Sequence, residues 1–106
     1  MKVVITSSGN SLTSKLDPRF GRAAWFCLYN TDSKSAEFFE NENRLINGGA
    51  GTKTAAKVAE LGAQQVISGD FGPKAKLMLE KLKIKMIALE DGNISLNEIV
   101  EKIQNS

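Results

Sequence analysis

Arg19 and Arg22 lie close together in Leu16-Asp17-Pro18-Arg19-Phe20-Gly21-Arg22, a short segment that leads into the apolar run 23–29. Proline fixes one backbone angle and glycine admits angles closed to other residues, so the segment is shaped rather than merely flexible. Two guanidiniums on it suit a carboxylate, a phosphate or an anionic metal cluster, each of which accepts paired N–H bonds. The plainer alternative is that Asp17 pairs with one arginine and the loop only turns a corner. Two further segments have the same character: Gly48-Gly49-Ala50-Gly51-Thr52-Lys53 and Gly69-Asp70-Phe71-Gly72-Pro73-Lys74. Their small residues leave backbone N–H groups open to a ligand, and a helix N-terminus adds partial positive charge. A lysine in the first turn of such a helix opposes the macrodipole by roughly 0.3–1 kcal/mol unless an anion compensates it. Lys53 and Lys74 therefore either face an anion or simply extend into solvent.

Other chemistries are excluded by residue type. The chain has no histidine and one cysteine, so a His-ligated zinc, a Ser-His-Asp triad and a Cys-His pair cannot be built. Gly51-Thr52-Lys53-Thr54 is superficially like a nucleotide-binding P-loop, but that motif needs adjacent Gly-Lys, an earlier glycine at fixed spacing and a strand immediately upstream. Asp17, Glu42, Asp70 and Asp91 form no pattern of an acid–base pair, so an enzyme is not expected. Cys27, in a run of aromatics, reads as a small buried hydrophobe or as a single sulfur offered to a preformed cluster, one from each subunit of a dimer. Trp25 and Phe71 either line a pocket or pack in the core.

The bulk properties narrow the partners. A net charge of +2 spread along 106 residues gives no footprint for nucleic acid, so anion binding must be local. No apolar run approaches the roughly 20 residues that span a bilayer, and residues 1–6 are too short and too quickly polar for a signal peptide. One cysteine forms no intrachain disulfide and fits a reducing compartment, which makes the cytoplasm the default.

The elements that must position these residues follow from periodicity. Residues 2–6 are a β-branched strand, 23–29 a strand apolar on both faces, and 35–41 an edge strand hairpinned to it through 30–34. Ala55, Val58 and Ala59 recur at helical spacing up to Gly62, after a glycine-rich loop over 47–52. Gln65-Val66-Ile67-Ser68 is a strand, Pro73 opens a helix with Ala75, Met78, Leu79 and Leu82 on its apolar face, and 84–89 is a fifth strand. Ser95 and Glu98 form a capping-box pattern for a last helix, with Ile94 and Ile99 placed to staple across it. A hairpin followed by β-α-β-α units predicts a mixed α/β sheet with helices on both faces. If the first and fourth strands are neighbours, the loops over 7–22, 48–53 and 69–74 converge where the strand order reverses, which is where open α/β sheets bind ligands.

These residues resemble the dinitrogenase iron-molybdenum cofactor biosynthesis family, the NifX-like group that includes the C-terminal domain of NifB-type proteins. The resemblance covers nearly the whole chain. It is carried by the first strand and its Ser-Gly loop, Leu12 and Ser14, Asp17-Pro18-Arg19-Phe20-Gly21-Arg22, Gly48-Gly49-Ala50-Gly51, Leu61-Gly62, and Gly69-Asp70-Phe71-Gly72-Pro73-Lys74-Ala75. It implies one domain over 1–106 with a three-layer α/β/α ribonuclease H-like fold, its five-stranded mixed sheet in the order 3-2-1-4-5 with strand 2 antiparallel. It also implies non-catalytic binding or carriage of a preformed iron-molybdenum or iron-sulfur cluster by a monomer or homodimer, with cluster donor or acceptor proteins as partners. The candidate contacts are Ser8, Gly9, Arg19, Arg22, Gly49, Gly51, Gly69, Gly72 and Lys74, with Cys27 as a metal ligand. Some nitrogenase-associated members carry a histidine for the cofactor, and this chain has none. Two other functions fit the chain: a module that holds a phosphorylated or carboxylated metabolite with the same loops, and an interaction domain that docks on a partner without any ligand.

Overall fold

The computed structural model describes residues 1–105. Five strands, β1 (Lys2–Ser7), β2 (Trp25–Asn30), β3 (Ser35–Glu40), β4 (Gln65–Ser68) and β5 (Lys85–Ala88), are interleaved with three helices, α1 (Ala50–Glu60), α2 (Pro73–Lys81) and α3 (Leu96–Gln104). The strands form one sheet in the order β3-β2-β1-β4-β5. β2 is antiparallel to both β1 and β3, whereas β4 is parallel to β1 and to β5. The predicted sheet order and the antiparallel second strand are thus observed.

Strand alternation divides the interior into two layers. Val4, Phe26 and Val66 face α1 and α2, where they meet Ala55, Val58, Ala75 and Leu79. Val3, Ile5, Cys27 and Ile67 face the other way and lie under Leu96 and Ile99 of α3. β1 is therefore apolar and buried on both sides, as a central strand must be. Each fully buried aliphatic side chain of this kind stabilises the fold by roughly 1.5–3 kcal/mol.

Two expectations shift. α1 begins at Ala50, inside the stretch read as a glycine-rich loop, so Gly51, Thr52 and Lys53 belong to its first turn. The reason is close packing: a Cβ on Gly51 would lie 3.1 Å from the Cβ of Ala75, so the missing side chain lets α1 approach α2. Leu82 is not on the apolar face of α2 but at its C-cap, 40% exposed. The last helix starts as its sequence predicts, with the complete capping box of Ser95 and Glu98.

Candidate functional site

The segment 16–22 is fixed across the carboxyl ends of β1 and β4. Asp17 N–H donates to the Thr6 carbonyl at 3.0 Å, and the Thr6 hydroxyl donates to the Asp17 carbonyl at 2.6 Å while lying 2.9 Å from the Ser68 hydroxyl. On the β4 side, Asp70 N–H donates to the Pro18 carbonyl at 2.8 Å and Phe20 N–H to the Asp70 carbonyl at 3.1 Å. The rings of Phe20 and Phe71 pack at a tilt of 46° with 5.3 Å between centroids. Pro18 sits so close to Gly69 that a Cβ there would fall 2.7 Å from its Cα, which explains glycine at position 69.

The buried Asp17 carboxylate organises the loop from within. It accepts from the backbone N–H groups of Arg19 and Ala24, both at 3.1 Å, and from Arg19 Nε and Nη2 at 3.2 and 3.3 Å. This bidentate hydrogen bond, and then the charge of Asp17, hold the Arg19 pKa above its ordinary value, with a small opposing effect of burial. The Asp17–Arg19 pairing allowed by the sequence is therefore real, yet the Arg19 side chain stays 65% exposed. A cation anchored at one edge and open at the other is a pre-organised donor.

Arg22 is held differently. Its Nη1 donates to the carbonyls of Arg44 and Ile46 at 2.8 and 2.6 Å, so its partners are neutral and its charge is not cancelled. Arg19, Arg22 and Arg44 line one cavity of about 510 Å³ with Leu45, Ile46 and Asn47. Only Arg19 among the three has a carboxylate partner within the described residues. The Asn41 amide supports this wall by donating to the carbonyls of Gly21 and Ala23 at 3.1 and 2.9 Å.

Gly21 carries the loop onto the start of α1. A Cβ at this position would stand 2.8 Å from the Gly51 nitrogen, so only glycine allows the approach. With Gly51 against Ala75, the starts of α1 and α2 are neighbours beside the arginine loop. Both N-caps are glycines at positive φ, Gly49 at 73° and Gly72 at 75°, and neither helix has a side-chain cap or an acid in its first turn. The N–H groups of the first turns are left without side-chain acceptors, where they favour an anion. Four residues after its start, α1 also buries Thr54, whose hydroxyl has no partner among the described residues.

Arg19, Arg22, Gly49, Gly51, Gly69, Gly72 and Lys74 are thus brought to one end of the molecule. Ser8 and Gly9 flank that end but are bound elsewhere. Ser8 N–H donates to the Lys15 carbonyl at 2.9 Å, and the same hairpin accepts from Leu96 and Asn97 N–H at the start of α3. Cys27 is fully buried and faces α3, on the opposite side of the sheet from α1 and α2. Burial pushes its thiol up to about 12, so in the metal-free protein it stays protonated at neutral pH. The small-hydrophobe reading describes its place. Among the described residues no group of three or more His, Cys, Asp or Glu is placed to hold a metal ion. Arg44 and Asn41 escaped the sequence reading, since their partners lie about twenty residues away in the chain; the one signal was an arginine in the stretch just before the glycines.

The first two helices of this α/β domain thus start uncapped beside a basic loop, an arrangement of N–H groups and cations that is chemically suited to an anion. The chain belongs to the family described as dinitrogenase iron-molybdenum cofactor, whose model matches residues 1–106. An uncharacterized protein of Methanocaldococcus jannaschii is 32% identical over 87 residues, covering 79% of this chain and 70% of its own length. The apo form of the orange protein from Desulfovibrio gigas superimposes with a TM-score of 0.90 at 30% identity, over 98% of this chain and 87% of that one. A Thermotoga protein proposed to be a NifB protein gives a TM-score of 0.83 at 27% identity, over 99% and 88% of the two chains. No helix among the described residues is long and apolar enough to cross a membrane.

Proposed function

We propose that this protein is a non-catalytic, cytoplasmic carrier of a preformed iron-molybdenum or iron-sulfur cluster, held as anionic cargo. The observation that carries the reading is the pair of uncapped helix starts beside the cavity lined by Arg19, Arg22 and Arg44. Family membership supplies the class of cargo. Such clusters are anionic, and charge-assisted N–H bonds from guanidiniums and backbone amides suit their sulfur and oxygen atoms. In this reading Arg19, Arg22, Arg44 and Lys74 supply charge, and the backbones of 49–51 and 69–72 close around the cargo. Ser8 and Gly9 border the site from the α3 side. Because the chain offers no accessible thiolate and no histidine, the cluster retains its own inorganic ligands and passes between donor and acceptor proteins without a covalent bond to the carrier.

Anaerobic purification, with iron and molybdenum analysis and visible absorption, tests this. The wild-type chain offered preformed cluster is expected to retain colour through gel filtration, and Arg19→Ala with Arg22→Ala and Arg44→Ala to lose it. A wild-type chain that stays colourless contradicts the proposal. Thermal stabilisation by a phosphorylated or carboxylated metabolite, abolished in Arg22→Ala, would instead assign the same site to a small anion.

A further inference from the structure

The opposite end of the sheet order carries a second surface. β5 is an edge strand. Lys85 and Leu89 N–H donate to the carbonyls of Gln64 and Ser68 at 3.1 and 2.9 Å, so alternate residues turn their peptide groups to β4. By the same alternation Met86 and Ala88 turn theirs outward, away from β4 and toward the open edge of the sheet. Unpaired edges of this kind are templates for another strand.

A cavity opens on each face of this edge. On the α3 side, one of about 470 Å³ is floored by Ile67, Ile87, Ile99 and Ile103 and rimmed by Lys85 and Lys102. On the α2 side, another of about 590 Å³ is formed by Phe71, Pro73, Met86 and Ala88 together with Lys76 and Asp70. Asp70 already accepts from Gly72 N–H at 3.3 Å. None of the three lysines has a carboxylate partner within the described residues. Side chains of an added strand alternate between the two faces, so one set would enter each cavity.

We infer that the β5 edge is a docking site for an extended acidic segment of a partner protein, which joins the sheet as a sixth strand. Backbone groups of Met86 and Ala88 supply the pairing, the isoleucine floor takes apolar side chains, and the lysines select carboxylates on the segment. The same lysines discourage β5 of a second copy, because pairing two such edges sets like charges together. The acidic edge of β3, with Glu37 and Glu40, is the competing occupant from a second copy, and its pairing would build an open head-to-tail array. The α2-side cavity also includes Gly69 and Gly72, so it shares the 69–72 loop with the proposed cargo site, whereas the β5 edge and the α3-side cavity do not.

The test uses the full chain labelled with ¹⁵N and two short blocked peptides, one alternating glutamate with valine and one alternating lysine with valine. The acidic peptide is expected to shift and protect the Met86 and Ala88 amides and to bind at least about tenfold more tightly than the basic one. Ala88→Pro removes an outward N–H without touching the β4 ladder and should abolish the shifts. Lys85→Glu with Lys102→Glu leaves the edge intact and should reverse the preference between the peptides. Equal binding of both peptides, unmoved Met86 and Ala88 amides, or peptide binding indifferent to these variants overturns the inference. So does concentration-dependent self-association lost in Ala88→Pro, which assigns the edge to a second copy. Saturation of the α3-side cavity by decanoate with no peptide response assigns it to an amphiphile and likewise overturns it.

Discussion

The three helices of this domain begin in two different ways. At α3, Glu98 N–H donates to the Ser95 hydroxyl at 3.2 Å, the Glu98 carboxylate accepts from Ser95 N–H at 3.4 Å, and the acid lies in the positive first turn. At α1 and α2 the cap is a glycine without a side chain to offer, the first turn has no acid, and Lys53 and Lys74 stand where a carboxylate would be favourable. The same chain therefore caps the helix that lies away from the arginine loop and leaves open the two that meet at it. Exposed N–H groups and unbalanced lysines are costs that a bound anion offsets, and they are confined to the end where Arg19, Arg22 and Arg44 gather.

The largest expected effect comes from removing the platform on which the open ends are assembled. Asp17→Ala deletes an acceptor of four N–H bonds in a buried position, and denaturant unfolding should show a loss of about 3 kcal/mol. Capping energy can then be read at each kind of helix start. Ser95→Ala should cost about 1 kcal/mol in the same measurement, because a cap in use is lost. Lys53→Glu together with Lys74→Glu should do the reverse, raising stability by about 0.3–1 kcal/mol per site while weakening retention of an anionic cluster. A double variant that loses stability would mean that these lysines have partners in the free protein and that the contrast between the helix starts is wrong.

Around neutral pH the buried Cys27 should contribute nothing to reactivity, and a thiol-directed alkylating reagent should leave the native chain unlabelled. At high pH the sign is set by its raised pKa. Below the ordinary thiol value of 9.0 both states keep the proton, and the stabilisation is fully present. Between there and about 12 the unfolded chain releases the proton while the folded one retains it, so this contribution is lost as pH rises. Comparing wild type with Cys27→Ala by thermal melts across that window isolates the effect.

How much of this was legible in the sequence depends on the range of the interactions. β4, the start of α2 at Pro73 and the Ser95 cap rest on signals within a few residues, and each was read where it lies. α1 starts earlier than its sequence predicts because glycines at 48, 49 and 51 have the local character of a loop, while the packing of Gly51 against Gly21 and Ala75 is long-range. At the candidate site, Arg19 and Arg22 stood out through their short, shaped segment. Arg44 and Asn41 did not, since their role exists only once the stretch after β3 folds back onto 21–24. Cys27 was ambiguous because burial, not neighbours in sequence, decides whether a thiol ionises.

The most direct measurement is an anaerobic titration of the ¹⁵N-labelled chain with a preformed iron-sulfur cluster, following backbone amides at all three helix starts. The Gly51, Thr52, Lys74 and Ala75 signals should shift or broaden together, with the Leu96 to Glu98 signals unchanged. If the α3 amides respond as strongly, or if those of α1 and α2 do not move while the cluster stays free in solution, the open helix starts do not form the binding site.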